Sequence, residues 1–348
     1  MAAASLNANG LELKMEGILS GRPAGRRDYA VFDWDNTCIV NDCQENLFFL
    51  MLDTLAFKIP SQAFGAILRR ELPALPLTSC CRNQAGQTVS LEALCHDLES
   101  DYAFLRSPEC PAEFQKTPHF LDFRAKLLYL YEAITLSYGN AIAYKWNIYF
   151  FSGFTAAEVN ALACRSHALF LRQPLSTRRF ISPEELPGQA GVVSVTHKQG
   201  LRISEEILRL MEILRQHQVD VFVNTASLEE VVAAFACDPR FGFAIPRDRV
   251  FGLRLQELDG CFAPAYPRDW PLNWGPGKTE MIRRHIAPAR GCGPIFVAGD
   301  SDGDYDMLRD FPDTRLGLII RRGKGRIQEL GGERYWIQNR DPVSGAWI

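Results

Sequence analysis

The stretch YAVFDWDNTCIVND, Tyr29 to Asp42, decides how the rest of the chain is read. Tyr29 to Phe32 is an apolar run with the character of a strand buried on both faces. It runs straight into two carboxylates one residue apart, Asp33 and Asp35. A strand fit for a protein interior gains no stability by ending in paired acids, so the pair asks for a chemical reason.

Downstream of Asp42 the text turns helical as far as about Arg172. ENLFFLMLDTLAF, SLEALCHDLES and FLDFRAKLLYLYEAI set apolar residues three and four apart, and prolines punctuate the segments. This block reads as a separate all-helical insertion. Beyond it the pattern alternates. GVVSV (Gly191–Val195) reads as a short strand, ISEEILRLMEILRQH as an amphipathic helix, and VDVFV (Val219–Val223) as a buried strand. SLEEVVAAFA follows as a helix, with Ser227 and Glu230 spaced as a capping box. RVFGLRL and GCFAPAY suggest a hairpin or paired strands around Asp259-Gly260, and GKTEMIRRHI opens a helix. PIFVAG is a strand, DYDMLRDF starts a helix, and RLGLII is a final strand. Strands alternating with helices predict an α/β fold, a parallel sheet with helices on both faces. Upstream, Gly21–Arg27 (GRPAGRR) reads as a loop before the first strand.

Ligands of such sheets bind beyond the carboxyl ends of the strands. The first strand delivers Asp33 and Asp35 there, VDVFV delivers Thr225, and PIFVAG delivers Asp300, Asp302, Asp304 and Asp306; Lys278 opens a helix leading back toward the sheet. Crowded carboxylates repel one another unless a cation sits between them. An oxygen-only donor set without His or Cys favours a hard ion, magnesium first. A hydroxyl and a lysine beside it suit phosphoryl oxygens, and a carboxylate can attack phosphorus.

DWDNT, NTAS, GKTEMI and GDSDGDYDML resemble, in order, the four motifs of the haloacid dehalogenase superfamily, in the branch with a helical cap inserted after the first motif, which includes phosphoserine and phosphocholine phosphatases. The resemblance spans Asp33 to Leu308. It implies a Rossmann-like catalytic core over 25–42 and 190–348, a helical cap over 43–189 and an N-terminal extension over 1–24. It implies Asp33 as nucleophile and Asp35 as the acid, then base, of a two-step hydrolysis through an aspartyl phosphate. Thr225 and Lys278 would grip the phosphoryl group. Asp33, Asp300 and the main-chain carbonyl of Asp35 would bind Mg2+, with Asp304 a metal-side or outer carboxylate. Asp42 lies nine residues after Asp33, where related phosphoserine phosphatases meet a substrate ammonium; Asp42 or Glu45 fits that role, and each fits equally a solvated or helix-capping acid. The implied substrate is a small soluble phosphate ester, with phosphocholine, phosphoethanolamine and phosphoserine as examples. A phosphotransferase and a non-catalytic metabolite-binding module are the rival readings.

The bulk composition agrees. Of 348 residues, 47% are apolar and 23% charged, as in soluble globular proteins, and the net charge of −3 gives no reason to expect nucleic acid or an anionic membrane as partner. No stretch reaches the ~18 apolar residues a membrane-spanning helix needs, and the first residues lack the pattern of a signal peptide, so a cytoplasmic enzyme is expected. The ten cysteines form no C-x-x-C pair and read as reduced, mostly buried thiols. Other features read as structural. DSDGDYD alternates acids like a calcium loop, but Tyr305 and Phe311 stand where that loop needs Gly and Glu. Trp34 should point away from both neighbouring aspartates. Tyr144, Trp146, Tyr149 and Phe151 read as core more readily than as a cage for a quaternary ammonium, and RRGKGR (Arg321–Arg326) reads as a solvated loop.

Overall fold

The computed structural model describes residues 2–21, 27–341 and 343–348. The strands are β1 (Tyr29–Phe32), β2 (Ile39–Val40), β3 (Ser176–Ile181), β4 (Ser194–Gln199), β5 (Arg202–Ile203), β6 (Asp220–Leu228), β7 (Val250–Leu253), β8 (Glu257–Leu258), β9 (Cys261–Phe262), β10 (Phe296–Gly299), β11 (Leu316–Ile320) and β12 (Tyr335–Gln338). Six form one sheet in the order β12-β11-β10-β1-β6-β7, with every pairing parallel. β1 sits between β10 and β6, and all four of its residues are buried, as its unbroken apolar run requires. The chain leaves β1 for β6 and β7 on one side, then crosses to β10, β11 and β12 on the other. That reversal makes a switch point beside β1, where open α/β sheets bind ligands. Register brings Phe32 level with Val223 on β6 and Ala298 on β10, so the residues following each strand gather at one rim.

The helices over the first half are α1 (Ala2–Ser20), α2 (Cys43–Asp53), α3 (Ser61–Leu68), α4 (Leu91–Leu105), α5 (Pro118–Tyr138), α6 (Asn140–Ile148) and α7 (Ala156–Phe170). Those interleaved with the sheet are α8 (Glu205–Gln216), α9 (Glu229–Ala236), α10 (Pro276–Met281), α11 (Ala287–Arg290) and α12 (Tyr305–Arg309), with a π turn at Ile282–Ile286. Helix starts follow local chemistry. Thr155 and Glu158 form a reciprocal capping box on α7, and Thr117 caps α5 ahead of Pro118. A dense aromatic cluster (Phe48, Phe57, Phe64, Tyr102, Phe123, Trp146, Phe150) holds α2 to α6 together. Each such buried ring is worth about 2–3 kcal/mol of apolar burial.

The structure corrects several expectations. The segment 43–189 is not all-helical, because β3 pairs antiparallel with β4 and the ribbon runs across 189/190. β3 is exposed at every residue but Phe180, so its polar sequence carries no apolar alternation to announce it. GVVSV is a strand only from Ser194, and that strand runs on to Gln199. The hairpin about Asp259 and Gly260 forms from β8 and β9, with positive φ at both turn residues (51° and 77°), while RVFGLRL instead supplies β7 to the sheet edge. β12 was unforeseen. So was α1, whose Leu11, Met15 and Leu19 form a buried stripe. Of the loop expected at Gly21–Arg27, residues 22–26 lie outside the described residues. The ten cysteines are free, four of them buried, five half-buried and one exposed. Among the described residues no helix is long and apolar enough to cross a membrane.

Candidate active site

Asp33 follows β1 directly and is fixed by its own N–H, which donates to the Ala298 carbonyl at 2.9 Å. Asp300 follows β10, Thr225 lies within β6, and Lys278 is in the first turn of α10. The backbone packs tightly to bring them close. A Cβ on Gly277 would lie 1.7 Å from the Leu272 carbonyl, and one on Gly299 would lie 2.4 Å from Cβ of Asp304. Asn224 Nδ2 donates to the Lys278 carbonyl at 2.9 Å, and Asn273 Nδ2 donates to Asn224 Oδ1 at 2.8 Å, tying α10 to β6.

The Lys278 ammonium donates to Asp33 Oδ1 at 2.5 Å and to Asp304 Oδ1 at 2.6 Å. The second oxygen of Asp304 accepts from the N–H groups of Asp300 and Ser301 and from the Ser301 hydroxyl, at 3.0 to 3.2 Å. Both its oxygens are therefore engaged, and Asp304 holds Lys278 and the Asp300 backbone in place. The Thr37 hydroxyl donates to Asp33 Oδ2 at 2.9 Å and lies 3.4 Å from Asp300 Oδ1. Asp35 accepts from the Cys43 N–H at the start of α2 (2.7 Å) and from the Ser227 hydroxyl (2.6 Å). Ser227 thus serves Asp35 rather than the expected capping box, and α9 starts without a side-chain cap. Trp34 turns away onto Phe235 and Phe243, as strand alternation requires.

Burial sets the electrostatics. It pushes Asp33 up to about 6, with Lys278 opposing and Asp300 adding to the rise. It pushes Asp35 up to about 6 as well, against the hydrogen bonds from Ser227 and Cys43. Burial alone would depress the Lys278 ammonium, but Asp304 and Asp33 hold it above the usual lysine range.

Oxygens of Asp33, Asp300 and Asp304 lie within 4.8 Å of one another, all buried. Counting Asp35, four carboxylates face two cations, Lys278 and Arg322, whose Nη1 donates to Asp300 Oδ2 at 2.8 Å. Two negative charges are left without a counter-ion in a buried, oxygen-only site. That set fits a divalent hard cation such as magnesium.

A small cavity of about 40 Å³ opens over Asp33, Asp35, Thr225, Lys278, Asp300 and Arg322. It adjoins a larger one of about 340 Å³, with Asn36, Asp42, Tyr144 and Arg322 lining both. Asp42 caps α2, accepting from the Glu45 N–H at 2.8 Å, yet it also lines both cavities. Glu45 lines the larger one, where its Oε1 accepts from the Tyr131 hydroxyl at 3.4 Å. Of the four aromatic residues weighed as a cage, Tyr144 alone lines these cavities; Trp146, Tyr149 and Phe151 are buried in the core. Sequence reasoning missed Arg322 because the basic run was read as solvated. The usable signal was position, since Arg321 and Arg322 directly follow β11 at the ligand-binding end of the sheet. Lys198, Tyr131 and Ser227 were also missed as site residues, and nothing local marks them.

No family model matches the chain. It is similar to the phosphorylcholine phosphatase of Pseudomonas aeruginosa PAO1, at 24% identity over 336 residues, covering 89% of this chain and 79% of that protein. In structure it resembles a conserved, functionally unknown protein from Anaerococcus prevotii DSM 20548, with a TM-score of 0.89 and 27% identity over 97% of this chain and 94% of that one. A phosphoserine phosphohydrolase-like protein from Francisella tularensis subsp. tularensis SCHU S4 aligns over 84% of this chain and 87% of that one at 12% identity, but its TM-score of 0.35 is too low to bear on the site. The six-stranded parallel sheet, the four motifs in order and the similarity to a phosphatase agree with one another.

Proposed function

We propose that the chain is a magnesium-dependent phosphomonoesterase of small esters, working through an aspartyl phosphate on Asp33. The observation that carries this reading is the single point at which Asp33, Lys278, Asp300 and Thr225 line one small cavity. Asp33 and Asp300, with the Asp35 carbonyl, would hold the ion. When bound, magnesium supplies charge neutralisation for the phosphoryl oxygens.

An Asp33 oxygen attacks phosphorus as the bond from phosphorus to the leaving oxygen breaks. Asp35, poised near 6, gives its proton to that oxygen and the alcohol departs. The Asp35 carboxylate then takes a proton from water as the water oxygen attacks phosphorus, which frees phosphate and Asp33. Lys278 and the Thr225 hydroxyl hold the phosphoryl oxygens throughout. The helices after Asp42, together with the β3–β4 ribbon, act as a cap that closes over the bound ester and excludes bulk water.

The larger cavity receives the leaving group. Asp42, Glu45 and Glu132 set acidic groups beside Tyr131 and Tyr144, which supports an ester bearing an amine. Lys198, Arg322 and Lys324 line the same cavity and favour, as a second reading, an ester that also carries an anion. A panel of phosphocholine, phosphoethanolamine, phosphoserine and sugar phosphates, assayed with magnesium and with a chelator, tests both. Amine-bearing esters should be preferred, and the chelator should abolish turnover. Equal rates for sugar phosphates would remove the amine assignment, and full activity in chelator would remove the metal. Diversion of phosphate to added alcohols would favour a phosphotransferase, and binding without turnover of any ester would favour a non-catalytic module.

A further inference from the structure

The loop that leaves Asp33 is gripped by the other end of the chain. Asn36 and Asn41 both take positive φ, 59° and 65°, and the turn between them leaves the carbonyls of Asn36, Thr37 and Ile39 facing inward. Arg340 reaches all three. Its Nη1 donates to Asn36 O at 2.6 Å and to Ile39 O at 3.3 Å, and its Nη2 donates to Thr37 O at 2.5 Å. Thr37 is the residue whose hydroxyl donates to Asp33 and lies beside Asp300. The guanidinium fork therefore sets the backbone that aims the Thr37 side chain.

Arg340 is itself held by a folded tail. It pairs antiparallel with Trp347, which is 1% exposed, and the Ile348 N–H donates to Asn339 O at 3.1 Å. Asp341 closes the turn by accepting from the Ser344 N–H and hydroxyl, both at 2.7 Å. Gly345, at φ 77°, lies against β2, where a Cβ would come within 2.5 Å of Val40 Cγ2. The tail's packing against β2 and its fork on the turn are separate contacts with the same loop.

We infer that Arg340 is a positioning residue for catalysis and that residues 339–341 and 343–348 are a working part of the active site. This rests on Asp33 as the nucleophile. A fork on three carbonyls fixes direction as well as distance, which a lysine cannot reproduce.

The test uses the full chain with Arg340→Lys and Arg340→Met. For an aryl phosphate, kcat should fall by ~10–100-fold in both, since a displacement of about 1 Å at a reacting group costs that much, while KM stays within about twofold. The magnesium dissociation constant, read by calorimetry, should rise by about tenfold, as for other groups that orient metal ligands. Should Arg340→Met fail to fold, Gly345→Val lifts the tail from Val40 with the fork residue intact and should lower kcat in the same way. An Arg340→Lys enzyme with full kcat and unchanged magnesium affinity would overturn the inference. So would a loss of rate that vanishes when the variants are assayed well below their melting temperatures. Asp33→Asn is the control: if it stays active, the nucleophile assignment fails first, and if it is dead while the Arg340 variants are normal, only this inference fails.

Discussion

Lys278 at the sheet rim and Lys126 between α4 and α5 are both buried, at 2% and 0% exposure, and both face aspartates. Lys126 donates to Asp97 at 2.8 Å, to Asp122 at 2.8 Å and to the Pro187 carbonyl at 3.0 Å, which uses its three N–H groups. Asp97 accepts in turn from the Gln189 and Ala190 N–H groups. Burial, with Asp122 beside it, pushes Asp101 up to about 9, and the His119 Nδ1 atom lies 2.8 Å from its Oδ1. Lys126 itself is fully paired, and its contacts pin α4, α5 and the segment before β4 together. Carboxylates outnumber cations in both clusters, but at the rim Lys278, with two carboxylate partners, lines a cavity. Excess buried negative charge open to a cavity is what sets the rim apart.

Four experiments sharpen that contrast. The largest effect is expected at the rim: Asp33→Asn should lower phosphate release from an aryl phosphate by about 10³-fold or more with the fold retained. A mutant of normal activity would end the nucleophile assignment. Next comes Lys126→Met, which leaves Asp97 and Asp122 uncompensated and should cost about 3–5 kcal/mol of stability in urea unfolding. Protein that remains folded should keep its kcat, and a selective loss of kcat would give the helical cluster a catalytic part.

The third concerns the seam between the two regions. His167 on α7 packs against Phe235 of α9, and neither of its ring nitrogens has a hydrogen-bond partner among the described residues. Burial lowers it from 6.5 to about 3. The folded state thus refuses a proton that the unfolded chain accepts. Its stabilising share is complete above about pH 6.5 and is lost as pH falls toward about 3, roughly 2 kcal/mol by pH 5. His167→Leu should remove that part of the acid slope; an unchanged slope would place the acid sensitivity elsewhere. The smallest effect is Ser227→Ala, which takes one hydrogen bond from the ionised Asp35. The Asp35 limb of the pH–rate profile should move to higher pH, with kcat reduced by about tenfold. A profile that does not move would separate Ser227 from proton transfer.

The acids at the sheet rim were legible because their signal is local. An apolar run ending in Asp33 and Asp35, and another ending in Asp300, can be read without knowing how strands pair. α8 was legible from spacing, since an amphipathic face repeats every three to four residues and its Ile207, Leu210, Met211 and Leu214 are the buried ones. β3 was not, because a ribbon exposed on nearly every residue takes its stability from its partner strand and from the tilted contact of Phe180 with Phe49. Ser227 fitted a capping box by spacing, and a competing acceptor, Asp35, 192 residues away in sequence, took its hydroxyl.

The sequence by itself determined the parallel α/β core, the order of the acidic motifs and the chemistry those residue types can perform, since each depends on neighbours within a few residues. Tertiary structure alone decided that Arg322 meets Asp300, that Tyr144 faces the cavity while Trp146 and Tyr149 do not, and that Arg340 holds the turn after Asp33. Those outcomes depend on contacts between segments up to 304 residues apart. Such contacts are set by strand order and packing, and local pattern carries no trace of them.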